Sequence, residues 1–210
     1  MPQPVIDHPA TLADQFAGKP GQVRFLEIPA RRFVMIDGDG PAGEVAFTPR
    51  MPGLYATAYT LHFALKKRGV EGKVGALEGL WWTTDGLTDL DAILGSGSDR
   101  GTWRWILMIG LPDEATEPEL DAALAAGRAK LEPPYAASLR VERFDEGRCA
   151  QVLHLGPYAT ERPTIEALHA AISDAGLVPC GRHHEVYLGD PRRSAPERLR
   201  TLIRQPVAPA

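Results

Sequence analysis

The chain has few cysteines and no long apolar run. Cys149 and Cys180 are its only cysteines, and neither belongs to a CxxC pair or a zinc-ligand spacing. Two isolated thiols favour a reduced protein without a disulfide framework. No apolar run approaches the roughly 20 residues that a membrane span needs. The start at Met1 also lacks the basic and apolar regions of a signal peptide. We therefore expect a cytoplasmic protein that does not bind membranes.

The charge balance and the glycine pattern exclude further classes. The formal net charge of −4 gives no general attraction to nucleic acid. We interpret the arginine cluster within residues 192–204 as a solvated surface. Gly38, Gly40 and Gly43 form no phosphate-binding loop, and the chain has neither a dinucleotide fingerprint nor a Gly-x-Ser-x-Gly elbow. No cofactor is expected.

Hydrophobic periodicity predicts a mixture of strands and helices. Alternating apolar residues favour strands, and apolar residues at intervals of three and four favour amphipathic helices. A short helix is compatible with residues 11–16, and Thr160 is the expected N-cap of the last helix. The predicted strands are 23–28, 32–37, 77–83, 103–109, 139–144, 149–155, 183–188 and 199–207, and the predicted helices are 52–68, 117–130 and 161–175.

The order strand, strand, helix, strand, strand occurs twice along the chain. We predict an α+β fold of duplicated hairpin-helix-hairpin units, whose antiparallel sheets are related by a pseudo-two-fold axis and leave a central ligand groove. Residues 85–101, rich in Gly, Asp and Ser, are predicted to form a loop, and whether it is a lid stays open. The predicted boundaries are an N-terminal arm at 1–20 and one domain at 21–210, with a first repeat at 21–112, a connecting helix at 113–135 and a second repeat at 136–208.

Candidate chemistry lies on the strand near the C-terminal end. Successive side chains of a strand face opposite ways, so His183, Glu185 and Tyr187 share one face. Val186 and Leu188 then point into a core on the other face. An acid, an imidazole and a phenol are costly to bury without partners. If their face lines a cavity, Glu185 is the natural site for a cationic or reactive ligand.

Two other interpretations apply to this strand. Glu185 has a structural alternative, which is an ion pair with Arg104 or Arg182 across the sheet. His183 and His184 suggest a metal site, but neighbouring residues of a strand point in opposite directions. Because no third ligand lies at a recognisable spacing, we predict no metal site.

Aromatic residues are the other candidates for a ligand site. Tyr55, Tyr59 and His62 form a stripe on the predicted helix 52–68, next to its apolar stripe. They are either a half-buried helix face or part of a pocket. Trp81 and Trp82 alternate faces on one strand, so one of them is expected in the core. Periodicity alone does not choose, and we take Trp82 as the ligand contact.

Four short motifs occur in a set order along the chain, namely Ile28–Arg32, Leu77–Trp82, His154–Tyr158 and Glu185–Arg193. This set resembles the GyrI-like small-molecule-binding family, whose fold is also that of effector-binding domains of multidrug-responsive transcription activators. In those sensors a buried glutamate among aromatic rings receives cationic lipophilic drugs, and by motif position it corresponds to Glu185. Because the resemblance covers nearly all of the given sequence, we expect no helix-turn-helix domain within it.

The chain also resembles a narrower group of two-repeat members with the Leu-Trp-Trp segment. Members of that group detoxify DNA-alkylating compounds of the duocarmycin and yatakemycin kind by hydrolysing their strained cyclopropane. The resemblance implies a lipophilic aromatic small molecule as the partner. It implies Glu185 as the base that activates water, with Tyr59 and Tyr187 as catalytic donors. The implied ligand contacts are Tyr55, Trp82, Trp105, His154 and His183.

Two alternatives to the hydrolase share the same resemblance. A non-catalytic protein that binds or sequesters lipophilic drugs, cationic ones included, would use the same pocket. The family name also suggests inhibition of DNA gyrase. An acidic chain without an exposed interaction segment gives gyrase binding no independent support.

Overall fold

The computed structural model describes residues 4–40, 44–83 and 103–210, so the predicted loop at 85–101 lies outside the described residues. These residues divide into two compact units, each treated by itself. The described residues of the first unit are 4–30, 80–83 and 145–210, and those of the second unit are 31–40, 44–79 and 103–144.

Strands and helices both occur in the described residues, which confirms the predicted α+β class. The strands are β1 (Ile6–Asp7), β2 (Arg24–Ile28), β3 (Arg31–Asp39), β4 (Leu77–Thr83), β5 (Trp103–Gly110), β6 (Arg140–Phe144), β7 (Gly147–Leu155), β8 (Leu177–Pro179), β9 (His183–Tyr187) and β10 (Arg200–Pro209). The helices are α1 (Leu12–Gln15), α2 (Glu44–Phe47), α3 (Met51–Lys67), α4 (Glu117–Arg128), α5 (Pro133–Ser138) and α6 (Arg162–Asp174).

The first unit is a sheet with one helix on it. Its strands follow the order β1-β2-β7-β10-β9, and β8 pairs with the end of β10. β1 is parallel to β2, and the pairs β2–β7, β7–β10 and β10–β9 are antiparallel. Helix α6 packs on β7 and β8. The core between helix and sheet contains Ile165 and Leu168 of α6 with Val152 and Ile203 of the sheet.

The second unit combines the sheet β5-β3-β6 with the packed pair of helices α3 and α4. The predicted apolar stripe of α3 is buried, with Leu54 and Leu61 fully enclosed. Gly69 follows the end of α3 with a φ of 79°, a left-handed conformation in which glycine avoids the steric cost of a Cβ. Helix length and termination therefore follow the local sequence.

The pairing of neighbouring strands differs from the prediction. β2 does not form a hairpin with β3, but pairs with β7, and β3 pairs with β6. The connections are two residues long, Pro29–Ala30 and Asp145–Glu146. The favoured two-residue hairpin turns have positive φ at one or both central residues, and no residue of these two connections has one. Neither connection is such a turn, and each strand pairs with a strand from the other half of the sequence.

The helices show two smaller corrections. The N-cap of α6 is Glu161 rather than Thr160, because residues Tyr158–Thr160 form a separate 3₁₀ turn. The connecting helix predicted at 113–135 is instead two helices, since α4 ends at Arg128 and Pro133 begins α5, where proline suits the first helical turn. Within the described ranges, no helix is long and apolar enough to cross a membrane.

Helices α3 and α4 approach closely where both carry small residues. A Cβ added to Gly127 of α4 would lie 2.7 Å from the Gly53 carbonyl oxygen and would collide with the Thr57 hydroxyl. The Thr57 hydroxyl itself donates to the Gly53 carbonyl at 2.9 Å. The crossing therefore depends on a residue without a side chain at position 127.

We expect Gly127→Ala to destabilise the protein by about 1–3 kcal/mol, the usual cost of overpacking. The better helix propensity of alanine offsets only part of this cost. The midpoint of urea unfolding measures the loss. Gly72→Ala is the control, because an added Cβ there meets nothing within 4 Å. Equal midpoints for the two variants would show that α4 shifts at no cost.

Candidate functional site

Cross-strand pairing in the first unit places two rows of side chains on the face that α6 covers. Residues directly opposite each other in an antiparallel pair have their side chains on the same face. Both rows cross β7, β10 and β9, and Glu185 ends one of them while Tyr187 ends the other. One row consists of His154, Thr201 and Tyr187. The adjacent row consists of Val152, Ile203 and Glu185.

Glu185 is held by both of its oxygens. The Tyr187 hydroxyl donates to Oε2 at 2.7 Å, and Nε2 of His183 lies 3.3 Å from Oε1. Only 15% of the Glu185 side chain is exposed. The three residues predicted to share a face are thus in contact. Within the described residues the partners of Glu185 are these two and not an arginine.

Tyr187 acts on the carboxylate rather than facing open solvent. Burial raises the pKa of its phenol well above the ordinary value, and the negative charge of Glu185 adds to this. The phenol therefore keeps its proton and directs it to Glu185. The ring of Tyr158 packs edge-on against Tyr187 with centroids 5.6 Å apart, and burial raises the Tyr158 pKa to about 12. Together the two rings form a neutral aromatic wall beside the carboxylate.

A second carboxylate, Glu161, lies at the N-cap of α6 in the same unit. It is only 6% exposed, and its Oε1 has no hydrogen-bond partner among the described residues. Burial raises its pKa to about 8, and the negative charge of Glu185 contributes. The sequence analysis missed Glu161. A glutamate is an unusual N-cap, since Ser, Thr, Asp and Asn are preferred there, so the cap was assigned to Thr160 and the sequence carried no signal for Glu161.

His154 connects the sheet to the start of α6. Its Nδ1 lies 2.9 Å from the Thr164 hydroxyl, and its Nε2 lies 3.3 Å from the Pro157 carbonyl oxygen. The side chain is buried. Both ring nitrogens thus have protein partners, and His154 holds the segment that carries Tyr158 and Glu161.

The two adjacent tryptophans separate as alternation requires. Trp81 is buried in the core, whereas Trp82 is partly exposed. The guanidinium carbon of Arg182 lies 3.9 Å above the Trp82 ring centroid, which is a close cation–π contact. Trp82 is therefore the member of the pair with an accessible aromatic surface.

Comparison with known proteins identifies the family. An uncharacterized conserved protein from Listeria innocua is 32% identical, with a TM-score of 0.77 over 94% of this chain and 97% of that chain. Residues 111–208 match the GyrI-like small molecule binding domain. The chain belongs to the GyrI-like family. A Listeria innocua protein named as a hydrolase is 30% identical to this GyrI-like chain, with a TM-score of 0.73 over 94% of this chain and 96% of that chain.

More distant similarity concerns the fold alone. The EcmrR C-terminal domain is 13% identical, with a TM-score of 0.54 over 90% of this chain and 98% of that domain. No curated protein matches the chain. The matched range 111–208 contains Glu161, Glu185 and Tyr187, so the carboxylates and the phenol described above belong to the GyrI-like domain itself.

The remaining predicted site residues of this GyrI-like chain lie in the second unit. Tyr55 and Tyr59 are neighbours on α3 with ring centroids 6.3 Å apart, and Tyr59 is 48% exposed. The ring of Phe63 stacks on Tyr59 at 6.3 Å and extends this exposed aromatic face. Trp105 has no exposed surface, and Phe47 packs edge-on against it at 5.0 Å. Its surroundings are those of a core residue and give no support to a ligand contact.

The opposite face of β9 carries a buried ion-pair network. Nδ1 of His184 lies 2.7 Å from Oε1 of Glu146, and Arg204 donates to Oε2 of Glu146 at 2.9 Å. Arg204 also donates to the Gln151 side chain at 2.6 Å and to the Gln15 carbonyl at 2.9 Å. Burial opposes ionisation of Glu146, but the charges of His184 and Arg204 outweigh it and lower the Glu146 pKa to about 2.

This network is structural. Glu146, His184 and Arg204 are almost fully enclosed, and every charge has a partner. Arg204 is thus buried, and its assignment to a solvated surface was wrong. In the described part of the chain, no group of three His, Cys, Asp or Glu residues is placed to hold a metal ion. The two faces of β9 thus have different roles: one fixes the N-terminal segment to the sheet through Gln15, and the other presents Glu185.

Proposed function

We propose that this GyrI-like chain is a small-molecule hydrolase that opens the strained cyclopropane of duocarmycin- and yatakemycin-type compounds, with Glu185 as the base. The observation that carries the proposal is a mostly buried carboxylate whose two oxygens are oriented by Tyr187 and His183. Hydrolysis as the reaction class is supported by Listeria innocua relatives of 29% and 30% identity that are named hydrolases.

The proposed substrate is a spirocyclopropane conjugated to a dienone. Water attacks the methylene carbon, a carbon–oxygen bond forms, and the ring carbon–carbon bond breaks. The electron pair moves through the ring to the carbonyl oxygen, which becomes a phenolate and takes a proton from solvent. Glu185 removes the proton of the attacking water, a role that supplies about 10²–10⁴ in rate for a general base.

The other predicted site residues have different roles in this proposal. Tyr187 and His183 orient the Glu185 carboxylate, because each already contacts one of its oxygens. Trp82 offers an accessible ring on which a flat polycyclic ligand can stack. The roles of Tyr55, Tyr59 and Trp105 in binding or oxyanion stabilisation stay predictions. His154 supports the segment that carries Tyr158.

Turnover is the test of the proposal. We expect catalytic amounts of the protein to convert an excess of a duocarmycin-type cyclopropane compound to its water adduct. Mass spectrometry measures this conversion. In water enriched in oxygen-18 the adduct should carry one heavy oxygen. More than one equivalent of product per protein chain establishes an enzyme, because a binding protein only titrates its ligand.

The control separates the folded site from chemistry in solution. With heat-unfolded protein, the compound should form its water adduct no faster than in buffer alone. Unchanged compound that nevertheless raises the melting temperature of the folded protein would contradict the hydrolase and indicate a protein that binds or sequesters such molecules. If the compound is not converted and does not raise the melting temperature, cyclopropanoid compounds are excluded as ligands.

A further inference from the structure

A cleft of about 370 Å³ lies in the second unit, between α4 and β6. One wall is a single face of α4, since its residues recur at helical spacing. The other wall is β6, together with Arg32 of the neighbouring strand β3. The lining residues of α4 are Glu117, Leu120, Asp121, Leu124 and Arg128, and those of β6 are Arg140, Val141, Glu142 and Arg143. None of them takes part in the hydrolase proposed above.

The cleft follows the edge of β6 rather than one of its faces. Neighbouring residues of a strand point to opposite faces, yet four consecutive residues of β6 line the cleft. β6 is the last strand of its sheet, and within the described residues β3 is its only strand partner. Such an edge strand carries a row of backbone N–H and C=O groups without ladder partners. A strand added in the cleft would therefore gain backbone hydrogen bonds to β6.

Polar contacts fix α4 beside this edge at both of its ends. Arg128, at the end of α4, donates through Nε and Nη2 to the Leu139 carbonyl oxygen at 3.2 and 2.9 Å, just before β6 begins. Glu117, at the start of α4, pairs with Arg32 at 3.3 Å, and Arg32 lies opposite Arg143 of β6. α4 thus runs antiparallel to β6, and both walls of the cleft are held in place.

Two charges on the helix wall have no ionic partner. Within the described ranges Asp121 and Arg128 form no ion pair, whereas Arg140 pairs with Glu142 at 2.8 Å on the strand wall. Both unpaired residues are exposed, and the partly buried Leu124 lies between them along the helix. Seven residues of α-helix separate Asp121 from Arg128 by about 10 Å. The helix wall therefore presents an anion, an apolar surface and a cation in that order.

We propose that this cleft binds an extended peptide segment of another protein, which adds to β6 as a further strand and carries a basic, an apolar and an acidic residue at alternate positions. Antiparallel to β6, the slightly more stable pairing, the segment runs in the same direction as α4. Its alternate side chains then face Asp121, Leu124 and Arg128 in turn. These three positions of a strand span about 13 Å, close to the spacing on the helix.

A second copy of this chain fits the cleft less well than a bare segment. Two antiparallel β6 strands would be related by a two-fold axis perpendicular to the sheet, so that both copies of α4 would lie on the same side. Packed helices need about 8–10 Å between their axes, whereas neighbouring strands lie only about 4.8 Å apart. Because α4 forms a wall beside the edge strand, the two helices would compete for one space.

Fluorescence anisotropy of the labelled peptide Gly-Lys-Thr-Val-Thr-Glu-Gly tests the charge pattern. We expect saturable binding to the protein. The same peptide with Lys and Glu exchanged should bind about two- to thirtyfold more weakly, the effect of losing two exposed ion pairs. Equal affinity for the two peptides, or no binding of either, would overturn the proposal.

Protein variants locate the binding. Asp121→Lys should weaken binding of the first peptide, and a peptide with Glu in place of Lys should regain affinity for this variant. Asp174→Lys makes the same change of charge at an exposed position of α6, in the first unit, and should bind as the wild type. Equal losses in the two variants would show that only the net charge matters and would remove the cleft as the site.

Peptide N-methylation tests the strand pairing with the protein unchanged. Alternate N–H groups of an extended peptide point to opposite edges. Methylating one alternate set should abolish binding, and methylating the other should have little effect. Equal effects of the two sets would exclude an added strand. Sedimentation of the free protein tests the other occupant: a dimer that Asp121→Lys dissociates would place a second copy in the cleft and overturn the peptide proposal.

Discussion

Glu185→Gln is expected to lower kcat for cyclopropane opening by about 10²–10⁴, the contribution of a general base. Glutamine keeps the shape of the side chain, and its amide oxygen can still accept from the Tyr187 hydroxyl. In the wild type this hydroxyl lies 2.7 Å from the Glu185 carboxylate. What it loses is the ability to take a proton from water. Initial rates of adduct formation at saturating compound measure the effect.

KM values and two further variants show whether Glu185→Gln slows the chemical step rather than weakening binding. Because the aromatic stacking surfaces are unchanged, KM for the Glu185→Gln variant should stay close to the wild-type value. Tyr187→Phe removes one orienting hydrogen bond but keeps the carboxylate, so its kcat should fall less than that of Glu185→Gln. Glu166→Gln on the exposed side of α6 should behave as the wild type. Equal kcat for Glu185→Gln and wild type would remove Glu185 as the base.

Glu146→Gln is expected to reduce the free energy of unfolding by about 3–5 kcal/mol, since removing one partner leaves a buried charge uncompensated. Arg204 is 1% exposed and donates to Glu146 at 2.9 Å, so its guanidinium would lose its counter-ion without gaining water. Urea unfolding at neutral pH measures the loss. Adding Arg204→Met to Glu146→Gln should cost less than the sum of the two single changes, because neither charge is then left alone.

The same network predicts an acid-dependent stability. The pKa of Glu146 in the folded protein, about 2, lies below its ordinary value of 4.5. A lowered pKa stabilises the folded state above the unfolded-state value, and this contribution is lost as the pH falls from about 4.5 towards 2. Unfolding free energies measured across that interval should fall more steeply for the wild type than for Glu146→Gln. Parallel curves would mean that Glu146 is not ionised in the folded protein.

The elements of the fold were predictable because they depend on local periodicity. Strand β4 has the predicted bounds, Leu77–Thr83, and α3 begins within one residue of its predicted start. Strand pairing was not predictable in the same way. It depends on whether a connection such as Pro29–Ala30 can make a tight turn, and on which distant strand offers an open edge instead.

The site shows the same division. Alternation along β9 placed His183, Glu185 and Tyr187 on one face, since a period of two is a property of the strand alone. Glu161 could not be predicted as part of the site, because it lies at the start of α6 rather than on β9. The sequence analysis had also assigned the cap of that helix to Thr160. The burial of Trp105 likewise depends on packing in the second unit, which a strand pattern does not reveal.

The exchange of strand partners between the two halves also governs how the protein can fold. Phe25 pairs with Ala150 and Val34 with Val141, so each sheet needs segments distant in sequence. Such high contact order slows folding, because loop-closure entropy is lost before the pairing stabilises the chain. Synthesis of the N-terminal half leaves one edge of β2 and one edge of β3 unpaired until β7 and β6 follow. Unpaired edges of this kind are templates for aggregation. Separate expression of residues 21–112 or of residues 136–208 should therefore yield a fragment that needs its complement to fold.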